Sequence, residues 1–216
     1  MHAVGIANAP PAPMSKPPLF PYTVRMTTYQ PYLDFSAQGF TVGALMGLYA
    51  RLRQDQTAAP VVAPIVVFSA FAIEAYVNSI GARKITFWDD LERLPWKKKV
   101  EILHKQAGSK PDWGKEPLQF AKEVFEFRDK LAHGKPERVL GPVFNDANEA
   151  GRLQDLGRLR PDWYVRIDRD WAEASQGRFR TLMNYLAGLY GLHESDHLLS
   201  SHGGIFIDDG GADSLR

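Results

Sequence analysis

Arg128 and His133 stand five residues apart in the segment FEFRDKLAHGKPE, which covers residues 125–137. An imidazole titrates near pH 6.5, so it can accept or donate a proton near neutral pH. An arginine stays charged, and its planar guanidinium matches a pair of phosphate oxygens. RNA cleavage without a metal needs proton transfer at ribose oxygens and positive charge beside the phosphorus. The pair is therefore a candidate site for phosphodiester chemistry.

A predicted helix, ended by Gly134 and Pro136, carries this pair, and its apolar face consists of Phe120, Val124, Phe127 and Leu131. The helix dipole favours imidazolium at this end, which suits His133 as a general acid. Residues five apart are separated by about 140° around an ideal helix, so Arg128 and His133 do not naturally face one atom. Either the helix distorts at its end, or two copies line a shared cleft, which predicts a symmetric dimer.

Four more helices are predicted around it. A first helix has a face of Val42, Leu45, Tyr49 and Leu52. The second, within residues 61–80, is apolar on nearly all sides and runs from near Pro64 to near Gly81. A third begins near Asp89 and Asp90, ends near Gly108, and has a stripe of Trp96, Val100 and Leu103. The last begins near Asp170, with a face of Phe179, Leu182, Leu186 and Leu189.

The predicted fold class is therefore an all-α bundle of about five helices. A long loop, residues 135–169, precedes the last helix and holds one predicted short strand, WYVRI. Residues 1–32 form a proline-rich leader and residues 193–216 a Gly- and Asp-rich tail, both predicted to be flexible. The helical domain spans residues 33–192.

Composition restricts the class of protein. With 44% hydrophobic and 24% charged residues, the 216-residue chain is ordinary for a globular protein. A formal net charge of +1 means that any RNA-binding surface must be a local patch. The absence of cysteine excludes disulfides and fits a cytoplasmic protein. Residues 61–80 are long enough to span a bilayer, but Glu74 among them favours a buried core helix.

The motif Arg-Asp-Lys-Leu-Ala-His, residues 128–133, at the end of a bundle helix resembles the signature of HEPN domains. The apolar segment FSAFAIEAYVNSIGA, residues 68–82, resembles the central helix of that family, which carries a Glu and an Asn. The segments WKKKVEILHKQAG and DWYVRIDRDWAEA also resemble the family in their spacing. The resemblance covers roughly residues 33–192 and implies a HEPN-like bundle.

Many HEPN proteins are metal-independent endoribonucleases of toxin–antitoxin, anti-phage or stress-response systems, and many act as dimers. The resemblance implies a homodimer that cleaves RNA to 2',3'-cyclic phosphate ends without a cofactor or metal. Arg128 would hold the scissile phosphate, His133 would transfer protons, and Asp129 would orient the site. Members neutralised by a partner nucleotidyltransferase often carry a tyrosine two positions after the histidine. Lys135 stands there, which puts that kind of antitoxin in doubt.

Two groups of residues could support this site. The predicted RNA contacts are Lys97, Lys98, Lys99, Lys130 and Lys135. The alternative for the run at 97–99 is a solvated helix face. Glu74 and Asn78 share one face of the apolar helix, and a carboxylate there needs a partner. We predict that Glu74 meets a basic residue such as Arg128; the alternative is that it faces solvent or an interface gap.

The remaining histidines and the function of the chain allow further interpretations. His193 and His197 have the spacing of a helical zinc site, but no metalloprotease signature accompanies them. His104 lies among lysines and is expected at the surface. For function, the alternative to a ribonuclease is a non-catalytic HEPN-like module that binds a protein partner, a nucleotide or RNA. A third possibility is a purely structural helical protein, which the lack of any dimer would favour.

Overall fold

The computed structural model describes residues 27–54, 59–155 and 159–208. These residues form a mostly helical fold with one small sheet, in which the strands are β1 (Thr28–Phe35) and β2 (Ser201–Asp208). The helices are α1 (Ala37–Gln54), α2 (Ala59–Lys84), α3 (Trp96–Gln106), α4 (Leu118–His133), α5 (Ala147–Asp155), α6 (Asp162–Arg166) and α7 (Arg169–Gly188). Two short 3₁₀ helices cover Trp88–Leu91 and Asp196–Leu198. Most of the predicted leader, residues 1–26, lies outside the described residues.

The chain divides into two compact units. Residues 33–203 contain the core and every helix of the described residues. The described part of the second unit comprises residues 27–32 and 204–208, where the rings of Tyr32 and Phe206 lie 4.4 Å apart. Both clefts discussed below lie within residues 33–203.

Helix α2 is the centre of the helical unit, and α1, α3, α4 and α7 pack against it. By length and composition this helix could cross a membrane, but more than half of its most apolar stretch is buried within the protein. Buried residues such as Ile65, Ile73 and Ile80 show the reason for its apolar character. An element surrounded by others is apolar on several sides because it has little solvent face.

The predicted helical faces on α1, α4 and α7 are confirmed. All four predicted residues of α1 are at most 1% exposed, and Phe120, Val124 and Phe127 of α4 are at most 2% exposed. On α7, Phe179, Leu182 and Leu186 are buried. Only the terminal members, Leu131 and Leu189, lie partly outside the core. The periodicity of apolar residues predicted these faces correctly because each helix has one solvent side and one core side.

The predicted limits of α2 were too short, since the helix continues through both Pro64 and Gly81. Pro64 lies in the second turn and is absorbed without ending the helix. Gly81 has a packing role: a Cβ there would overlap the ring of Trp88, which is buried against it. The glycine is therefore a close-approach position rather than a helix stop.

The third helix also begins later than predicted. Asp89 and Asp90 belong to the first 3₁₀ helix, and Pro95 separates that segment from α3. A proline cannot continue a hydrogen-bonded helix but suits the position just before one. The predicted end is confirmed, because Gly108 adopts a φ of 69° directly after the helix.

The predicted strand WYVRI is wrong. Residues 163–166 of this segment belong to α6 (Asp162–Arg166), a short helix that Pro161 precedes and whose first backbone bonds run to the Pro161 carbonyl oxygen. Among the described residues no strand lies beside this segment, and a lone strand would leave its backbone groups unpaired. Helix α5 was also missed, so residues 135–169 are less irregular than the sequence indicated.

The predicted flexible tail does not begin at residue 193. Asp196 and His197 are each 7% exposed, and the Asp196 carboxylate forms a bidentate ion pair with Arg83 at 2.6 and 2.9 Å. The hydrogen bonds from Arg83 hold the pKa of the Asp196 carboxyl below its ordinary value. Residues 193–203 are thus part of the helical unit, whereas residues 209–216 lie outside the described residues.

His104 was predicted to lie at the surface, but the residue is completely buried. Its Nδ1 lies 2.8 Å from the Val100 carbonyl oxygen and its Nε2 lies 2.7 Å from the Tyr185 hydroxyl. A carbonyl only accepts, so Nδ1 carries the proton and Nε2 accepts from Tyr185. Burial lowers the pKa of His104 below 6.5 because an imidazolium would be poorly solvated there.

We therefore expect acid to destabilise the fold through His104. Unfolding returns the ring to its ordinary pKa, so below about pH 6.5 the unfolded chain binds a proton that the folded chain excludes. The free energy of unfolding should fall as the pH decreases from 7.5 to 5, and buried His197 acts in the same direction. Urea titrations at both pH values would measure this decrease. His104→Asn should show a smaller decrease, and an unchanged pH dependence would contradict the assignment.

Candidate functional site

His133, the last residue of α4, opens into a cleft that we call the His133 cleft. Its volume is about 720 Å³, and its walls come from the last two turns of α4, the segment that follows, and α6. The lining side chains include Glu126, Asp129, Lys130, Lys135, Glu137, Trp163 and Arg166. His133 is exposed, so its ring is accessible to a ligand or substrate in this cleft.

The turn after His133 shapes this cleft. Gly134 follows the helix with φ −58° and ψ 122°, and a Cβ there would collide with the carbonyl oxygen of Lys130. The close approach allows the chain to fold back, so that Lys135 and Glu137 line the same cleft as His133. Pro136 prevents the helix from continuing, which agrees with the predicted end of α4.

Several cations of the cleft already have acidic partners. The Nζ of Lys130 lies 3.8 Å from Glu137, whose carboxylate also accepts a hydrogen bond of 3.2 Å from the Trp163 indole. Arg166 lies 3.3 Å from Glu123 and over the ring of Phe127, 5.1 Å from its centre. Among the described residues, Lys135 has no ion-pair partner. The cleft is therefore mixed in charge rather than uniformly basic.

Arg128 does not line this cleft. Its side chain is 26% exposed, its guanidinium lies 5.2 Å from the centre of the Phe125 ring, and its Nη1 is 3.1 Å from Asp129 Oδ1. Its Nε is buried and has no hydrogen-bond partner in the described part of the chain. Within one copy, the helix does not distort enough to bring Arg128 and His133 together. Asp129 connects the two, because it lines the His133 cleft and also contacts Arg128.

An aromatic stack holds Arg128 in this position. The Phe125 ring lies parallel to Trp96, with 3.9 Å between centres and 7° between planes. Trp113 meets Trp96 edge-on, and Lys97 lies over the Trp113 ring at 4.9 Å. Cations over aromatic faces gain electrostatic stabilisation, most of all over tryptophan. Lys97 and Arg128 are therefore at opposite ends of one aromatic cluster.

The three lysines of the predicted basic run have different environments. Lys97 and Lys98 are exposed, and Lys98 pairs with Glu101 at 3.0 Å. Lys99 is only 2% exposed, so the prediction that it contacts RNA is wrong. Its position on the core side follows from spacing, because Trp96, Lys99, Val100 and Leu103 lie at i, i+3, i+4 and i+7. That pattern was the missed signal.

Lys99 is the basic partner of Glu74. Its Nζ lies 3.9 Å from Glu74 Oε1, whereas no ion pair between Glu74 and Arg128 exists in the described structure. The expectation of a basic partner thus holds, but Arg128 is not that partner. Asn78 shares the helix face of Glu74, as predicted, and both residues line a different cleft, discussed below. They do not support the His133 cleft directly.

His193 and His197 do not come together as a metal site in the described structure. The His197 ring packs against Tyr76 and Phe179, and Asp196 is paired with Arg83. His193 instead contacts the Ser195 hydroxyl at 2.7 Å. Across the described residues, no cluster of His, Asp and Glu side chains is able to hold a metal ion.

Sequence reasoning missed the contribution of α6 to the His133 cleft. Trp163 and Arg166 were assigned to a strand, so their approach to α4 was not considered. Pro161 followed by Asp162 was the available signal, because proline before an acidic first turn is typical of a helix start. Even with α6 assigned, its contact with α4 depends on tertiary packing.

The chain matches no protein-family model, no curated protein and no solved structure. The HEPN resemblance therefore depends on the motifs within this sequence and on their location at the end of α4 and in α2.

Proposed function

We propose that this chain is a metal-independent endoribonuclease of HEPN type, and that RNA is cleaved beside His133. The observation that carries the proposal is the exposed imidazole at the C-terminal end of α4, open to a cleft with Lys130, Lys135 and Arg166 on its walls. The cations on the walls of the cleft attract a phosphate.

In the proposed reaction, the ribose 2'-hydroxyl attacks the neighbouring phosphorus as its proton passes to a base. The bond from phosphorus to the 5'-oxygen breaks, and that oxygen receives a proton from the His133 imidazolium. The products carry a 2',3'-cyclic phosphate and a 5'-hydroxyl. Arg128 has the charge to stabilise the phosphorus as negative charge grows on its oxygens.

The position of Arg128 makes a second copy part of this proposal. We infer that a symmetric homodimer joins two motifs, so that Arg128 of one copy approaches the cleft of the other. One His133 would accept the 2'-hydroxyl proton and the other would protonate the leaving oxygen. Asp129 contacts Arg128 at 3.1 Å and would keep its guanidinium in place.

Incubation of the purified full-length chain with a mixed RNA pool in EDTA tests this function. We expect cleavage in EDTA, with cyclic phosphate ends identified by mass spectrometry of the products. Sedimentation at the assay concentration should give the mass of a dimer. Cleavage that requires an added metal ion, or products with 3'-hydroxyl ends, would contradict the mechanism.

We further expect Arg128→Lys to reduce cleavage about tenfold, since a lysine retains the charge but loses the planar fork of donors. Initial rates on one defined RNA would measure this effect, alongside RNA binding at several salt concentrations. The matched control is Lys122→Arg on the same helix, which introduces a guanidinium group at an exposed position. Lys122 is paired with Glu126, and the variant should cleave RNA at the wild-type rate. Equal rates for Arg128→Lys and wild type would remove Arg128 from the site.

The separation of Arg128 from the His133 cleft supports a second candidate, a HEPN-like module that binds RNA, a nucleotide or a protein partner without cleavage. In that case the ion pairs of Lys130 and Arg166 would be structural. A folded dimer that binds RNA without producing any cleaved ends would favour this module over the ribonuclease.

A further inference from the structure

A second and larger cleft, which we call the α2 cleft, lies along one face of α2. Its volume is about 1070 Å³. The α2 residues on its wall are Phe71, Glu74, Ala75, Asn78, Ser79, Ala82 and Arg83, and the opposite wall is formed by residues 34–38 with Leu199 and Ser201. None of these residues lines the His133 cleft. The α2 cleft therefore needs an explanation separate from the proposed RNA chemistry.

The walls of the α2 cleft are largely apolar and open. Phe35, Phe71 and Leu199 are 69%, 48% and 55% exposed, although each is a large hydrophobic side chain. Small residues between them, Ala75 and Ala82, leave space above the helix. A cavity of this size with aromatic and aliphatic walls is typical of sites for small organic ligands.

Two amide side chains on the wall of the cleft carry buried acceptor oxygens without a partner among the described residues. Gln38 is only 2% exposed, and its Nε2 donates to the Asp196 carbonyl oxygen at 2.8 Å. That bond fixes the amide orientation, so Oε1 is an acceptor, and it is buried without a partner among the described residues. The Oδ1 of Asn78 is likewise buried and unpartnered. Buried acceptors of this kind are uncommon and require an explanation.

The charges of the cleft also favour a ligand that donates hydrogen bonds. The Glu74 side chain is 37% exposed, and its ion pair with Lys99 has an N-to-O distance of 3.9 Å, which is beyond hydrogen-bond distance. Arg83 lines the cleft, but its Nε donates to the Ser79 carbonyl oxygen and its two Nη groups donate to Asp196. Asp34 adds a second carboxylate to the wall. The Glu74 and Asp34 carboxylates thus add negative charge to the wall of the cleft, whereas the charge of Arg83 is already paired with that of Asp196.

We propose that the α2 cleft binds a small amphipathic cation, in which a protonated primary amine is joined to an aromatic or branched aliphatic group. The ammonium group pairs with the Glu74 carboxylate and offers further donors to the unpartnered amide oxygens of Asn78 and Gln38 on the same wall. The apolar group packs between Phe35, Phe71 and Leu199. A neutral or anionic ligand of the same shape would leave the acceptors unpaired or repel Glu74.

Three phenyl probes of similar size test the proposal on the full-length chain: 2-phenylethylamine, 2-phenylethanol and 3-phenylpropionate. Binding is followed by calorimetry and by chemical shifts of the phenylalanine ring protons. We expect the amine to bind at least tenfold more tightly than the alcohol, and the carboxylate more weakly than either. Equal binding of amine and alcohol, or no amine binding to the folded chain, would overturn the proposal.

Two variants locate the site. Glu74→Gln should weaken amine binding about tenfold and leave alcohol binding unchanged. Glu101→Gln is its matched control, because Glu101 is also 37% exposed and also pairs with a lysine, and it should bind the amine as wild type does. Ala75→Leu fills the cleft without removing the partner of Lys99, so it should abolish binding in a folded protein. Wild-type amine binding by Ala75→Leu would place the ligand elsewhere and refute the site.

Discussion

His133→Ala is expected to reduce RNA cleavage by roughly 10²–10⁴-fold, the contribution that a general acid or base usually makes. The ring is exposed at the end of α4, so its removal should leave the fold intact. Initial rates in EDTA on one RNA substrate would measure the loss, and thermal unfolding of the variant should match that of wild type.

His193→Ala is the control for this prediction, because His193 is also exposed but lies outside the His133 cleft. It should cleave at the wild-type rate. Unimpaired cleavage by His133→Ala would place the activity elsewhere in the molecule or in a contaminant. If the cleavage rate fell equally in both variants, the loss would be a general effect of removing a histidine and would not identify His133 as a site residue.

Gly81→Ala should lower the stability of the fold strongly for a change of one methyl group. A Cβ at this position overlaps the buried ring of Trp88, and overpacking of this kind costs up to about 3 kcal/mol. The better helix propensity of alanine returns about 1 kcal/mol. We therefore expect a net loss of about 2 kcal/mol in the free energy of unfolding, measured by urea denaturation.

Gly43→Ala separates these two contributions. Gly43 lies on the exposed side of α1, and a Cβ there meets nothing within 4 Å. This variant should gain up to about 1 kcal/mol from helix propensity alone. If Gly81→Ala were as stable as Gly43→Ala, the Trp88 ring would not be packed against α2 as described.

The α2 cleft affects how variants of Glu74 must be interpreted. Glu74→Gln leaves Lys99, a residue with 2% exposure, without its acidic partner, so a loss of stability is expected along with any change in binding. Ala75→Leu avoids this difficulty because it changes only the volume of the cleft. Agreement between the two variants therefore assigns an effect on ligand binding to the cleft itself.

Local sequence signals determined most of the helical architecture. The faces of α1, α4 and α7 were predictable because apolar periodicity reports which side of a helix meets the core. The ends of α3 and α4 were predictable because Gly108, Gly134 and Pro136 act within one turn of their own positions. Arg128 and His133 could also be chosen as candidate residues from their types alone.

Burial of polar residues could be predicted only in part. The spacing of Lys99 with Val100 and Leu103 indicated the core side, but the identity of its partner did not follow. Glu74 lies on another helix, and their contact depends on how α2 and α3 pack. Similarly, His104 is buried because α3 brings it within hydrogen-bond distance of Tyr185 on α7.

Only the tertiary structure decided which side chains share a site. Strands β1 and β2 pair although they come from opposite ends of the chain, and no local signal specifies that pairing. The approach of α6 to α4 adds Arg166 and Trp163 to the His133 cleft, whereas Arg128 turns toward Phe125 on the other side. The sequence by itself determined helices and reactive groups, because these depend on neighbours a few residues away. Long-range packing determined the clefts, because each is lined by segments that the chain keeps far apart.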